Sequence, residues 1–191
     1  MLINNDFEVA QPVDKVWQFF GDIARVAACL PGAELTENLG EDKYGGTVAV
    51  RMGPVRLQFA GTADVTERDE AAKRIVAHAS GAEARGRGQA AMVLTATLTA
   101  AGRGTKVAVT QDLQLAGAAA QYGRGMISDV SAVLMRDFAA NLATQIDRAE
   151  RGEAVAATAA PAGGFAIGLR AALMALRRVF RRFFVPYQAA S

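Results

Sequence analysis

Residues 91–115 read AMVLTATLTAAGRGTKVAVTQDLQL, and this stretch decides the fold. Apolar side chains alternate with polar ones at every second position, as in strands of an antiparallel sheet with one buried and one wet face. The glycines at 102 and 104 place a turn between the two strands. The apolar faces of these strands consist of Ala90, Met92, Leu94, Ala96 and Leu98, and of Val107, Val109, Leu113 and Leu115.

The period changes to that of a helix just after these strands. From Ala119 to Arg148 the apolar positions recur every three or four residues, which predicts a helix about 45 Å long at roughly 1.5 Å per residue. A helix of that length can lie across a whole sheet. Its apolar stripe consists of Ile127, Val130, Leu134, Phe138, Leu142 and Ile146.

The preceding residues predict further strands and two short helices. Residues 2–10 alternate like a strand, Pro12 opens a helical pattern, and a second helix extends from Ile23 to Leu30, where Pro31-Gly32 stops it. Two more strands flank the turn at Gly53-Pro54. Their apolar faces consist of Val48, Val50 and Met52, and of Val55, Leu57, Phe59, Gly61 and Val65.

This order of elements predicts an α+β fold in which a curved antiparallel sheet wraps around one long C-terminal helix. The wrap leaves a space, which is enlarged by small residues on the apolar faces, namely Gly46, Gly61, Ala63, Ala90 and Ala96. An apolar space with few polar groups is the usual form of a ligand pocket. Ordinary core packing is the competing interpretation for each residue of the expected lining, which is Tyr44, Val48, Val50, Phe59, Met92, Leu94, Val107, Val109, Gln111, Tyr122, Met126 and Val130.

Gln111 is the polar exception in this lining, because it follows Val107 and Val109 onto the apolar face. A buried amide needs hydrogen-bond partners. Two partners remain open at this point: the carbonyl group of a bound quinone, or a neighbouring backbone group.

Charge is distributed unevenly along the chain. Residues 1–152 carry 16 basic and 18 acidic side chains, whereas residues 153–191 carry five basic and one acidic. Because the basic character lies in the tail, a nucleic-acid-binding core is disfavoured. The first ten residues have neither a basic segment nor a long apolar run, so we expect no signal peptide.

Residue types for catalysis or metal binding are scarce. Cys29 is the sole cysteine, which excludes an internal disulfide and favours a reducing compartment. A cysteine after an apolar helix is more often a small buried side chain than a reactive thiol. His78 is the sole histidine and lies on an expected strand. We therefore expect neither a metal site nor a histidine-based catalytic triad, and no catalytic residue.

The C-terminal stretch FAIGLRAALMALRRVFRRFFVPY (165–187) contains five arginines, four phenylalanines and no acid. On a helix at about 100° per residue, the large apolar side chains share one side and the arginines the other. This pattern is typical of a helix at a membrane interface with anionic headgroups; an acidic protein groove and nucleic acid are the alternatives. The predicted membrane-binding residues are Leu169, Arg170, Leu173, Leu176, Arg177, Arg178, Phe180, Arg181, Arg182, Phe183 and Phe184.

An ordered set of short motifs covers about residues 2–148. The motifs are Val16-Trp17, Ala28-Cys29-Leu30-Pro31-Gly32-Ala33, Met52-Gly53-Pro54-Val55, Phe59-x-Gly61, Gly104-Thr105, Gly117, Gln121-Tyr122-Gly123-Arg124-Gly125-Met126-Ile127 and Phe138-Ala139-Ala140-Asn141-Leu142. Together they resemble the carbon monoxide dehydrogenase CoxG family of the helix-grip (SRPBCC) superfamily, which includes START-like lipid carriers and plant hormone receptors. Each motif is modest by itself, whereas the ordered set is specific.

The resemblance implies a non-catalytic accessory protein that recruits a molybdenum-containing CO dehydrogenase, or a related molybdenum hydroxylase, to the cytoplasmic face of the membrane. It also implies capacity for a hydrophobic ligand in the grip. A soluble dehydrogenase must pass electrons to the respiratory chain, and quinones live in the bilayer. We therefore expect a bound quinone, menaquinone or ubiquinone, as ligand and electron acceptor, and no covalent cofactor.

These observations predict three segments: a helix-grip domain (1–148), a flexible Ala/Gly linker (149–164) and a basic amphipathic membrane-anchoring tail (165–191). The protein is then peripheral to the cytoplasmic membrane and binds its anionic lipids. A lipid or hydrophobic-metabolite carrier without a redox partner is the alternative, and a cyclase-like or hydrolase-like enzyme is a third possibility. The glycine-rich start of the long helix, around Arg124, predicts a flexible mouth or an enzyme-facing loop.

Overall fold

The computed structural model describes residues 1–151, and within that range it contains seven strands, three α-helices and one short 3-10 helix. The predicted tail helix and almost all of the predicted linker lie outside the described residues. In chain order the elements are β1 (Leu2–Val9), α1 (Val13–Phe20), α2 (Ile23–Cys29), β2 (Ala33–Gly40), β3 (Lys43–Met52), β4 (Val55–Asp69), β5 (Arg74–Glu83), β6 (Gly88–Ala101), β7 (Gly104–Gly117), the 3-10 helix (Ala118–Gln121) and α3 (Arg124–Glu150).

The strands form one curved antiparallel sheet in the order β1-β7-β6-β5-β4-β3-β2, which confirms the predicted α+β architecture with a long C-terminal helix. The helices α1 and α2 connect the two edge strands, β1 and β2. The sequence analysis predicts no strand at β2. Its residues, AELTENLG, are mostly exposed, so this edge strand lacks the apolar alternation that marks a half-buried strand.

Cross-strand register places the predicted apolar faces on a single side of the sheet, called the inner face here. Val48 pairs with Phe59 between β3 and β4, and Leu94 pairs with Gln111 between β6 and β7. Since residues directly opposite each other point to the same side, these pairings join the separate apolar faces into one wall. The helix α3 packs on this wall, mainly against β1 and to a smaller extent against α2 and β3.

Local chemistry explains where the helices begin and end. The Asp22 carboxylate caps α2 by accepting a hydrogen bond of 3.1 Å from the Arg25 backbone N–H. The residue before Pro31 is extended, so α2 stops one residue earlier than predicted. The predicted start of the long helix at Ala119 is also wrong: Gly117 has φ +71°, a 3-10 helix follows, and α3 begins at Arg124.

Two separate clusters of buried side chains form the core. The first core cluster surrounds Phe138 on the C-terminal half of α3, whose ring makes edge-on contacts with Phe7 at 5.8 Å and Phe20 at 6.3 Å between centroids. The second core cluster is smaller and lies at the N-terminal half of α3; it consists of Ile3, Met52, Leu57, Ala119 and Ile127. The helix α3 is therefore packed more heavily at its C-terminal end than at its N-terminal end.

Polar contacts strengthen the same end of α3. The Asn141 amide donates a 2.9 Å hydrogen bond to the backbone carbonyl of Cys29 at the end of α2. The Gln11 amide donates to the Asp147 carboxylate at 3.0 Å, and Lys15 forms an ion pair with Glu150. These contacts fix the C-terminal half of α3 to the α1–α2 segment.

Candidate ligand-binding site

The inner face has a recess between the two core clusters, where strands β3 to β6 carry only glycine and alanine. These small residues belong to neither cluster and keep part of their surface exposed, because α3 packs mainly against β1. The recess consists of Gly46, Gly61, Ala63, Ala77, Ala79, Gly81 and Ala90, which the strand pairings align on one side of the sheet.

Glycine at the centre of the recess is required by the close approach of two strands. Gly61 on β4 pairs with Gly81 on β5. A Cβ atom on Gly61 would lie 1.9 Å from the Ser80 carbonyl oxygen, and one on Gly81 would lie 2.8 Å from that of Ala60. No side chain can fill the recess from these two positions without moving backbone.

Three predicted features of the recess change in the structure. Ala96, expected to enlarge the space, is 2% exposed and belongs to the first core cluster. Ala77, Ala79 and Gly81, which the sequence analysis did not include, contribute instead. Their signal was present: they follow Ile75 at every second position, but alanine-rich alternation is too weakly apolar to indicate a buried strand.

The predicted lining residues fall into two groups. Val107 and Val109 are buried in the first core cluster, where ordinary core packing accounts for them, and Met126 is 45% exposed on α3. The remaining apolar members are half-buried on the inner face or on the helical segment above it, namely Tyr44, Val48, Val50, Phe59, Met92, Leu94, Tyr122 and Val130. The structure thus brings these eight to the rim of the recess and the second core cluster, as a mostly apolar surface.

A layer of polar side chains separates the two core clusters. Gln111 is 6% exposed and Ser131 is 8% exposed, and the Ser131 hydroxyl donates a 3.1 Å hydrogen bond to the Gln111 side-chain oxygen. The Asn5 amide in turn donates to the Ser131 hydroxyl at 3.0 Å. The partner of Gln111 is therefore a helix side chain, which neither of the interpretations from sequence includes.

Ser131 also corrects the predicted helix stripe. The buried residues of α3 are Ile127, Ser131, Phe138, Leu142 and Ile146, whereas Val130 and Leu134 are half-buried. A serine inside an apolar stripe is ambiguous in a sequence, since it becomes buried only if a partner lies opposite. Gln111 and Asn5 supply that partner from β7 and β1.

Glu83 is a buried carboxylate at the end of β5 that the sequence analysis did not identify. It is 4% exposed and pairs with Phe59 on the inner face. Its Oε2 accepts hydrogen bonds from the backbone N–H groups of Arg85 at 3.0 Å and Arg87 at 3.3 Å, and lies 3.5 Å from Arg87 Nε. Burial by itself raises the pKa of the Glu83 carboxyl, but the donors of Arg87 and Arg85 outweigh it, and the pKa lies below its ordinary value. The Glu83 side chain therefore stays ionised and organises the β5–β6 turn.

Cys29 and His78 lie apart from each other and from the recess. Cys29 is fully buried in the first core cluster, and burial, opposed by the charge of Arg25, raises the pKa of its thiol to about 11. This confirms the interpretation as a small buried side chain. His78 is exposed and pairs with Val93, whose position faces away from the inner face. Among residues 1–151 no three His, Cys, Asp or Glu side chains are close enough to hold a metal ion.

A second concavity, of about 680 Å³, lies between α1 and the turn that joins β4 to β5. Its lining includes Asp14, Arg68, Glu70 and Lys73, and the Lys73 ammonium lies 3.1 Å from the Asp14 carboxylate and 5.4 Å from the Trp17 ring centroid. Because its charged side chains pair with one another, this cleft suits an apolar ligand poorly. The recess is therefore the candidate site.

The predicted membrane-binding residues, from Leu169 to Phe184, lie outside the described residues. Of the helices within residues 1–151, none combines the length and the apolar character that a bilayer crossing requires.

Comparison with known proteins agrees with this geometry. Among solved structures, a conserved protein from Geobacillus kaustophilus is 22% identical with a TM-score of 0.69, and the match covers 78% of this chain and 97% of that one. The Zhui aromatase/cyclase from Streptomyces sp. R1128 is 16% identical with a TM-score of 0.56, over 81% and 98% of the two chains. At these identities the likeness establishes the helix-grip fold alone. No curated protein matches the chain.

The model of the carbon monoxide dehydrogenase CoxG family matches residues 6–147, which span β1 to nearly the end of α3. The match covers every element that builds the inner face, apart from the first residues of β1. The chain belongs to the carbon monoxide dehydrogenase CoxG family.

Proposed function

We propose that this protein is a non-catalytic accessory protein that recruits a molybdenum CO dehydrogenase, or a related molybdenum hydroxylase, to the cytoplasmic membrane. We further propose that it binds a quinone, such as menaquinone, on its inner face and delivers it to that enzyme as electron acceptor. The observation that carries the proposal is the recess: a glycine- and alanine-lined, half-exposed depression between two core clusters.

The recess fits the ring system of a quinone in two respects. Its floor, around Gly61 and Gly81, has no side chains, which leaves room for a flat group, and its rim is apolar and includes Phe59, Met92 and Leu94. A polar side chain, Gln111, lies beside Leu94. A bound quinone supplies two-electron redox chemistry; the residues of this chain bind it, orient it and shield it from water.

Ligand binding by the full chain is tested by organic extraction of protein purified from membranes, followed by mass spectrometry. We expect a quinone or a related isoprenoid lipid to co-purify, and titration of the stripped protein with a naphthoquinone to restore a saturable complex. Absence of any extracted lipid, together with absence of binding in the titration, would overturn this part of the proposal.

The polar groups near the recess support a role without catalysis. Glu83 is ionised and occupied by backbone N–H groups and Arg87, and Gln111 and Ser131 are not acids or bases at neutral pH. The isolated protein should therefore not cyclise or hydrolyse candidate substrates in an activity screen. Turnover that is lost on substitution of a residue in the recess would favour the enzyme alternative.

Membrane recruitment is assigned to residues 165–191, whose five arginines each contribute on the order of 1 kcal/mol near anionic lipid. We expect the full chain to sediment with anionic liposomes more strongly than with neutral ones, and a chain that ends at residue 164 to stay in solution. A full-length variant with the five arginines changed to glutamine separates charge from apolar insertion. Equal sedimentation of the truncated chain contradicts the assignment.

Partner identity separates this proposal from the alternative of a lipid or hydrophobic-metabolite carrier. Family membership favours a molybdenum enzyme as the partner. Affinity purification from solubilised membranes should retain a molybdopterin-containing enzyme at a constant ratio to this chain. Co-purification of lipid without any such enzyme, and no neighbouring gene for one, would favour the carrier.

A further inference from the structure

The polar layer between the core clusters has a consistent direction. Asn5 lies between Ile3 and Phe7 on β1, and these neighbours belong to the second and the first cluster respectively. Gln111 lies in the same way between Val109 and Leu113 on β7. The layer thus crosses the inner face at the level where the apolar packing is interrupted.

Each hydrogen bond in the layer constrains the next one. A serine hydroxyl has one hydrogen. Because the Ser131 oxygen accepts from the Asn5 amide at 3.0 Å, its own hydrogen is available for the Gln111 side chain, 3.1 Å away. Gln111 must therefore present its oxygen to Ser131, and its Nε2 group is turned away from the helix side chain. The Asn5–Ser131 pair fixes which way round the Gln111 amide stands.

The Nε2 group of Gln111 is a donor without an acceptor. Within residues 1–151 no hydrogen bond from it is recorded, and it is not among the side-chain atoms there that are sealed from solvent without a partner. The little exposed surface that Gln111 retains therefore includes this nitrogen. Beside it on the inner face lie half-buried Leu94 and, on the other flank, Ile3.

We propose that Gln111 recognises a hydrogen-bond acceptor, the carbonyl oxygen on the polar head of a lipophilic ligand, and that Asn5 and Ser131 are positioning residues that fix the amide as a donor. The inference rests on the proposed function, because it assigns the head group of the ligand in the recess. It adds a preference that apolarity alone does not give: the site distinguishes ligands by the acceptor character of the head.

This preference separates the two redox states of one quinone. The oxidised form offers carbonyl oxygens, which the Nε2 hydrogens satisfy. The reduced form carries hydroxyl groups, whose hydrogens face an amide nitrogen and apolar side chains and stay unpaired in a site largely removed from water. The full chain should therefore bind the oxidised form roughly ten-fold more tightly than the reduced form.

The test measures the affinity of the full chain for a short-tailed naphthoquinone and, under anaerobic conditions with reductant, for its hydroquinone. A second probe pair is a long-chain methyl ketone and the alkane of equal length. Infrared spectra of the ¹³C-labelled carbonyl group provide a direct readout, since a hydrogen bond lowers the stretching frequency. In the wild type we expect preference for both carbonyl probes and a lowered carbonyl frequency.

Three variants separate recognition from positioning. Gln111→Leu should weaken binding of the carbonyl probes by about three- to ten-fold, abolish the preference within each pair and remove the infrared shift. Ser131→Ala should keep substantial affinity but reduce the preference, because the freed amide can rotate, and should broaden the shifted band. Thr110→Val is the matched control: its hydroxyl donates to the Asn4 side chain on the opposite face of β7, so binding and spectrum should match the wild type.

The outcomes distinguish this inference from the proposed function. If neither quinone form binds but the ketone is preferred over the alkane, the quinone proposal falls and the role of Gln111 stands. If the quinone binds in both redox states with equal affinity and without an infrared shift, the proposed function stands and the role of Gln111 is overturned. Wild-type preference in a folded Gln111→Leu variant, checked by thermal unfolding, also overturns it.

Discussion

At the scale of single residues, Cys29 shows how burial changes chemistry. The thiol lies in the first core cluster and donates a 3.3 Å hydrogen bond to the Arg25 carbonyl oxygen. Burial, partly offset by Arg25, raises the pKa of the thiol from an ordinary value of 9.0 to about 11. A group whose folded-state pKa is raised stabilises the fold fully below the unfolded-state value and loses that contribution as the pH approaches the folded-state value.

We therefore expect the free energy of unfolding to decrease by about 2 kcal/mol between pH 8 and pH 11 through this group. Other groups titrate in that range, so the comparison is with Cys29→Ala, which shares them. The difference in unfolding free energy between wild type and Cys29→Ala, from urea titrations, should fall as the pH rises. A constant difference would show that the thiol ionises without cost.

Glu83 behaves in the opposite sense. Burial acts to raise its pKa, but donors from Arg87 and Arg85 outweigh burial, so the pKa is lowered. A lowered pKa stabilises the fold above the unfolded-state value of about 4.3, and this contribution is lost as the pH falls through the folded-state value. The stability advantage of the wild type over Glu83→Gln should therefore narrow between pH 6 and pH 3, as measured by chemical unfolding at each pH. An advantage that does not change with pH would contradict the assignment.

At the scale of elements, two glycines that look alike in the sequence have different roles. A Cβ on Gly61 meets backbone at 1.9 Å, whereas one on Gly125, in the first turn of α3, meets no atom within 4 Å. Gly61 is fixed by the contact between β4 and β5. Gly125 has no packing reason to be glycine, which leaves the predicted flexible mouth or enzyme-facing loop as its interpretation.

Gly61→Ala should lower the free energy of unfolding by at least about 2 kcal/mol, because strand backbone must move. Gly125→Ala is the control and should raise it by up to about 1 kcal/mol, since alanine favours a helix. Thermal and urea unfolding measure both. If Gly125→Ala also leaves ligand exchange and enzyme binding unchanged, the mouth hypothesis for this segment is wrong.

At the scale of the whole molecule, the recess exists because α3 covers only part of the inner face. Its C-terminal half is fixed by the first core cluster and by Asn141, and its contacts with the sheet are mainly to β1. Strands β4 and β5 are left with small side chains and no helix above them. A ligand can therefore occupy the recess without displacing a core side chain.

Filling the recess should separate binding from stability. Ala79→Leu adds apolar volume at the half-exposed centre of the recess, so it should weaken ligand binding roughly ten-fold or more while the melting temperature stays near that of the wild type. Ala91→Leu is the matched control, on the neighbouring strand but on the outer face. Undiminished binding by Ala79→Leu would place the ligand elsewhere.

Much of this architecture follows from local pattern. The alternation around Met92 and Leu94, and the helical stripe through Phe138 and Leu142, predict the strands and the long helix. They do so because the direction of each side chain is fixed by the local backbone, with period two in a strand and about 3.6 in a helix. β2 escapes this reasoning because an exposed edge strand has no buried face to imprint a pattern.

The sequence by itself determined the elements, the inner-face residues and the family resemblance. Only the tertiary structure decided which inner-face residues are covered: Ala96 lies in a core cluster and Ala79 in the recess, although both are alanines on the same face. It also paired Gln111 with Ser131, 20 residues away in the chain. The physical reason is that burial depends on where α3 crosses the sheet and on the cross-strand register, and both are set by contacts between distant segments.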